Sequence, residues 1–167
     1  EKDLADAIWK FGGERDSRRI ARSIVRAREE KAIETTTQLS ALIEKAKRRG
    51  KYKKHPAIQV FQAIRIVVND ELRELGKGLE MAYGLLKSGG RLAVITFHSL
   101  EHRLVKDYGN EQARDYDILG DHDVPIQRID RKPYMKWVYK RSIKPSSSEI
   151  KINPRARSAQ LRVLEKI

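Results

Sequence analysis

The sequence predicts an α/β sheet domain preceded by an all-helical, strongly basic region of roughly 55 residues. Three features carry this reading. Before residue 57, apolar side chains recur only at helical spacing. At 91–97 the run RLAVITF, bounded by glycine and rich in strand formers, breaks that period. Near the end, YMKWVYKR and AQLRVLEKI carry strand-like patterns.

In chain order, Leu4, Ile8 and Phe11 share one face of a helix over 3–11, with Asp3 as its cap and Gly12-Gly13 as its stop. A second helix, roughly 14–29, turns Ile20, Ile24 and Ala27 inward and fills the remaining faces with Arg15, Arg18, Arg19, Arg22, Arg26 and Arg28. Thr35-Thr36-Thr37 offers the cap of a third, which faces Leu39, Leu42, Ile43 and Ala46 inward and sets Lys45, Lys47, Arg48 and Arg49 near its negative dipole end. GKYKKH continues as a basic loop. From Pro56, the pattern Ile58, Phe61, Ile64, Ile66, Val67, Leu72, Leu75 predicts the longest helix, of about five turns. Gly76 and Gly78 loosen its junction with a helix over 78–87, which stops at Ser88-Gly89-Gly90.

RLAVITF then reads as a strand buried on both faces of a parallel sheet. His98-Ser99 opens a helix to about Asp107, with Leu100, Leu104 and Val105 inward. Residues 109–133 are polar and turn-rich and read as a loop. Strands at 134–141 and 159–167 suit a sheet edge or an antiparallel pair. Between them Pro145-Ser146-Ser147-Ser148-Glu149 is a capping signature for one short helical turn before Asn153-Pro154.

Lys and Arg number 36 against 23 Asp and Glu, a formal charge of +13 on 167 residues, which makes a polyanion, and nucleic acid first, the expected partner. The competing reading is a solvated basic surface that serves solubility. No apolar run reaches the roughly 18 residues of a membrane span, and the first ten residues do not form a signal peptide's apolar stretch. The absence of cysteine excludes disulfides and thiolate metal sites and favours an intracellular location.

The segment SGGRLAVITFHSLEHR holds the strongest chemical candidates, because ligands of open α/β sheets sit beyond the carboxyl ends of parallel strands, where His98 and Ser99 fall. The plainer alternative is that Ser99 caps the next helix and His98 packs at the strand edge. His98, Glu101 and His102 also match the H-x-x-E-H spacing of a zinc peptidase helix. That site requires both histidines within one helix and a third ligand downstream, whereas His98 lies at a strand-to-helix corner, so no metal is assigned. Gly89-Gly90 follows a helix and precedes a strand, the reverse of the order that cradles phosphate. The chain has no G-x-G-x-x-G, no Walker loop and no Asn/Asp-Pro-Pro-Tyr tetrapeptide.

For RNA contact the candidates are Arg18 and Arg22, with Arg15, Arg19 and Arg26 beside them, and Lys47, Arg48, Lys53 and Lys54, with Tyr52 placed to stack on a base. The alternative is a solvated helix face with local pairs from Glu14, Glu29 and Glu30. Lys140, Arg141, Lys144, Arg155 and Arg157 form a second cluster.

Five stretches, ERDSRRIARSIVRAREE, TTTQLSALI, HPAIQVFQAIRIVVNDELRELGKGLE, LLKSGGRLAVITFHSLEHRLVK and NPRARSAQLRVLEKI, occur in an order and spacing that resembles the MraW/RsmH family of small-subunit ribosomal RNA cytosine-N4 methyltransferases. The likeness covers almost the whole chain and is weakest at 109–133. It implies the C-terminal half of a Rossmann-like, S-adenosylmethionine-dependent methyltransferase sheet with an inserted all-helical domain. Residues 1–57 would be most of that basic, RNA-contacting insertion, and 58–167 the returning half of the methyltransferase domain. The family's donor-binding residues, including a Gly-Gly-His turn, are expected upstream of Glu1, so no cofactor-binding residue is assigned within this chain. The family usually reads F-H-S-L-E-D where this chain has His102 in place of the acid.

The resemblance implies methylation of the exocyclic N4 amine of a cytidine in the decoding centre, with small-subunit ribosomal RNA or the ribosomal subunit as partner, in the cytoplasm, without a membrane; a homodimer is open. It suggests His98, Ser99 and Glu101 for the cytosine side of a cleft, and Arg155, Arg157 and the 45–54 cluster for RNA backbone. The chain alone is expected to be inactive, with the edge beside Leu92, Val94 and Ile95 unpaired. Competing readings are a non-catalytic RNA-binding remnant of this fold and, further off, a zinc hydrolase.

Overall fold

The structure, a computed structural model, describes residues 1–47, 55–119 and 127–167, with two compact units, Glu1–Glu71 and Leu72–Ile167. The division falls later than the expected 57/58 boundary because the helix following residue 57 packs on the first helix of the chain.

The first unit contains α1 (Lys2–Gly12), α2 (Ser17–Glu30), α3 (Thr36–Ala46) and α4 (Ile58–Val68). Ile8, Ile20, Ile24, Ile43 and Val60 form its core, with Leu4, Leu39, Phe61 and Ile64 against them. Each isoleucine buried here contributes roughly 1.5–3 kcal/mol relative to exposure. Gly12 lets α1 approach α4: a β-carbon there would lie 2.5 Å from the Gln59 carbonyl oxygen. Gly13 closes α1 in the left-handed conformation, φ 64°. Asp3 lies in the first turn of α1, and Glu1 takes the cap position without a side-chain bond. Thr35 caps α3 reciprocally with Gln38, the arrangement that a threonine three residues before a glutamine favours.

The long helix expected from Pro56 is interrupted. α4 starts at Ile58, and α5 (Glu71–Leu85) begins after a break at Asn69-Asp70, where Asp70 has φ 51°. Asp and Asn enter the left-handed region more easily than other side-chain-bearing residues, which makes this dipeptide a stronger stop than its composition suggests. Gly76 and Gly78, expected at the junction, lie inside α5. Arg65 spans the break and donates to both Glu71 carboxylate oxygens, at 2.6 and 3.0 Å. The inward face also differs from expectation. Val60, Ala63 and Ile66 are buried, while Ile58 and Val67 are 46% and 48% exposed.

The second unit runs from most of α5 through β1 (Arg91–Thr96), α6 (Ser99–Gln112), β2 (Tyr116–Leu119), β3 (Gln127–Asp130), β4 (Met135–Trp137), α7 (Ser147–Ile152) and a 3-10 turn (Pro154–Ser158) to β5 (Gln160–Lys166). β1, β5 and β4 form one sheet in that order, with β5 antiparallel to both neighbours. Leu79, Val105, Tyr108, Met135 and Leu164 are the core, joined by Leu92, Val94, Leu104 and Trp137.

β1 is therefore not buried on both faces in a parallel sheet. Among the described residues its partner is antiparallel β5, and Leu92, Val94 and Thr96 turn inward while Ala93 and Ile95 are exposed. α6 runs past Asp107 to Gln112 because Tyr108 and Gly109 are buried and prolong its inner face. The loop expected at 109–133 contains the β2–β3 hairpin, in which Arg128 lies over the Tyr116 ring at 4.1 Å. Ser146 caps α7 by accepting from the Glu149 amide, as its capping signature predicts.

Candidate nucleic-acid interface

The chemistry expected at the end of β1 resolves into a rigid corner. His98, not Ser99, is the cap of α6: its Nδ1 accepts from the Glu101 amide at 3.3 Å. Glu101 reciprocates, its Oε2 accepting from the backbone amides of Phe97 at 2.8 Å and His98 at 3.2 Å. His98 Nε2 stands 3.2 Å from Glu101 Oε1. A capping box normally uses a hydroxyl; here imidazole and carboxylate hold the turn. Ser99 is exposed on the first turn of α6. His98 and His102 have different neighbours. His102 stands near Arg162, Lys106 and Lys144, whose charges join its burial in lowering its pKa below the usual histidine value. Such surroundings disfavour a cation beside His102.

In the helical unit a groove of about 430 Å³ is lined by Asp6 and Trp9 of α1 and by Arg15, Asp16, Arg18 and Arg19 at the start of α2. Trp9 is 58% exposed and its indole is the large apolar surface there. Arg18 and Arg19 are exposed, and Arg19 Nη2 lies 3.6 Å from Asp16. An open indole beside arginine forks provides what a single-stranded nucleic acid needs, a stacking surface for a base and donors for phosphate. Arg22, further along α2, bonds Glu1 at 3.4 Å across solvent, a pair weak enough for a phosphate to displace.

Lys47 leaves the set of expected phosphate contacts. Its ammonium is buried against the Glu14 carboxylate and also donates to the Pro56 carbonyl at 3.1 Å. Glu14, read as a surface acid, accepts in addition from the Asp16 amide at 2.9 Å. Arg48, Tyr52, Lys53 and Lys54 lie outside the described residues.

The MraW methylase family matches this chain over residues 1–167. The chain belongs to the MraW methylase family. It is 46% identical over 165 residues to a protein of Dehalococcoides mccartyi, 47% over 166 residues to one of Coxiella burnetii, and 48% over 164 residues to one of Hyphomonas neptunium. Each of these is named ribosomal RNA small subunit methyltransferase H. The matches cover 99%, 99% and 97% of this chain and 46%, 53% and 47% of the relatives, so the chain spans about half their length.

In this MraW methylase chain, Arg155 and Arg157 are exposed on the 3-10 turn before β5, placed there by Asn153, whose Oδ1 accepts from the Arg155 amide at 3.2 Å. The structure brings His98 and Glu101 into direct contact, while Ser99 lies exposed at the first position of α6. Trp9 was missed. It occupies the helix position after Ile8, and tryptophan on the outer side of an amphipathic helix beside an arginine-rich segment is the signal that marks it.

Proposed function

We propose that this chain is part of an S-adenosylmethionine-dependent enzyme that methylates the exocyclic N4 amine of a cytidine in the decoding centre of small-subunit ribosomal RNA. The family match across all 167 residues carries the reading. The names of relatives that are 46–48% identical support ribosomal RNA as the substrate class. The +13 charge and the Trp9–Arg18–Arg19 groove suit a polyanionic substrate that stacks. Because β5 runs against both neighbours, β1 and β4 run parallel to one another, which accords with the end of a Rossmann-like sheet.

In the proposed division of labour, the helical unit holds RNA backbone and a stacked base, and the His98–Glu101 corner fixes the end of β1 on the cytosine side. Arg155 and Arg157 hold further phosphates. S-adenosylmethionine supplies an electrophilic methyl group, and the amine that takes it gives up one proton. The corner is a poor donor cradle: β1 enters α6 through the His98 ring, with no glycine to admit a ligand against the backbone. The donor contacts are accordingly assigned to residues outside these 167. A ribosomal substrate also places the protein in the cytoplasm. No described helix is long and apolar enough to cross a membrane.

The test is methyl transfer from labelled donor to small ribosomal subunits, using protein expressed from its complete reading frame, with the product nucleoside resolved by mass spectrometry. N4-methylated cytidine is the expected product. RNA binding without any transfer would replace this reading with that of a non-catalytic RNA binder.

A further inference from the structure

Arg162 lies at the middle of β5, opposite Val94 of β1, and lays its guanidinium over the Trp137 ring of β4, 4.9 Å from the centroid. Trp137 is itself fixed, its Nε1 donating to Asn110 Oδ1 at 3.2 Å. The stack holds the fork in place, yet Arg162 Nε is buried with no hydrogen-bond partner among the described residues. His102, in the first turns of α6, has a buried Nδ1 in the same condition. Lys144 follows Ile143, whose backbone pairs with Leu161 next to Arg162 on β5, and the charges of Arg162, Lys106 on α6 and Lys144 all act on the His102 imidazole. Among the described residues no carboxylate pairs with Arg162 or His102.

Two buried nitrogens without partners, surrounded by cations and no acid, form an arrangement that an external anion completes. A guanidinium fork takes two oxygens of a tetrahedral oxyanion at once, a protonated imidazole donates to a third, and an ammonium on a flexible stem closes over it. We propose that Arg162, His102 and Lys144 form a phosphate-oxyanion site, filled either by a phosphodiester of bound RNA or by free phosphate, with Lys106 adding charge at its rim. The site rests on the RNA reading only for the first of these sources. An arriving anion supplies the negative charge that favours protonation of the ring and its donation to the ligand.

The probe is inorganic phosphate, titrated into isotopically labelled protein from the complete reading frame while the His102 ring resonances are followed by NMR. A saturable shift is expected, with the His102 pKa rising by about one unit or more in the bound form, a tenfold preference for the imidazolium. K144A should weaken phosphate by about tenfold, and H102D, which places an acid beside Arg162, by at least as much. Neither change removes Arg162 or Trp137, and an unaltered Trp137 indole resonance reports that their stack and the fold are retained. A short single-stranded oligoribonucleotide separates the sources. An RNA phosphodiester in the site displaces phosphate and binds H102D more weakly, whereas a free-phosphate site keeps its phosphate shift with RNA bound. The proposal is overturned if neither ligand moves His102 or if K144A and H102D bind phosphate like the parent. Lost methyl transfer with intact phosphate binding would count against the proposed function and leave this site standing.

Discussion

Lys47 and Glu14, 33 residues apart in sequence, form a buried ion pair with side chains only 6% and 5% exposed. The pair ties the end of α3 to the turn between α1 and α2, and the Pro56 carbonyl and the Asp16 amide add a hydrogen bond to each partner. Removing one partner strands the other. Lys47→Ala and Glu14→Ala should each cost about 3–5 kcal/mol of stability, while Lys47→Met with Glu14→Leu recovers most of it. Urea denaturation of the three variants checks this, and additive single losses in the double variant would show that the two groups are not coupled.

Trp9 and Arg18 should separate by salt. Trp9→Ala is expected to lower single-stranded RNA affinity by about 1–3 kcal/mol at any salt concentration. Arg18→Ala should reduce the slope of log affinity against log salt by roughly 1. Fluorescence anisotropy over a salt series gives both quantities, and equal affinity in Trp9→Ala would remove the groove from the interface.

Glu101 is expected to act through backbone geometry. Glu101→Ala frees the amides of Phe97 and His98 and should cost about 1–2 kcal/mol, whereas Glu101→Gln keeps an acceptor and most of the stability. Thermal melts rank the variants. If Glu101→Gln is as stable as the parent yet loses methyl transfer, the carboxylate has a role in the reaction beyond the cap.

Gly109 is needed for want of a side chain. A β-carbon there would lie 2.2 Å from Trp137 Cζ2, and α6 touches β4 through this contact. Gly109→Ala should lose about 1–3 kcal/mol by overpacking and shift the Trp137 indole signal in NMR.

Acid sensitivity should have two components. Hydrogen bonds from Lys136 and then Arg91 hold the Glu165 carboxyl below its usual 4.5, so its contribution is complete above pH 4.5 and disappears as pH falls through the folded value. For His102, burial first and then Arg162, Lys106 and Lys144 lower the pKa from 6.5, so the unfolded chain takes the proton first and stability declines as pH drops below 6.5. Denaturant midpoints against pH should lose the upper component in His102→Gln and the lower one in Glu165→Gln. Superimposable curves for parent and variants would contradict both assignments.

Features that depend on neighbours in sequence were legible. The Thr35 and Ser146 caps each follow from residues within one turn, whereas α5 ends at Leu85, ahead of the turn at Gly89. The Asn69-Asp70 break was not, because two glycines a turn further on offered a more familiar signal than a left-handed aspartate. Long-range partners account for the larger misses. Lys47 reads as a surface cation until Glu14 is brought to it, and the buried face of β1 is set by Leu79 of α5 and Val105 and Tyr108 of α6 packing against Leu92 and Val94. At the β1–α6 corner the motif singles out His98 and Glu101 as cleft candidates, whereas their mutual capping emerges only from the folded corner.

β5, the last of the five described strands, lies between β1 and β4 among the described residues. During synthesis β1 and β4 therefore leave the ribosome with nothing between them, and the sheet cannot close until Gln160–Lys166 has emerged. The core of the helical unit is assembled from residues within Glu1–Glu71 and does not wait for β5. Until β5 emerges, the apolar sides of β1 and β4 lack the strand that joins them. That interval is when this part of the chain is most open to misassembly.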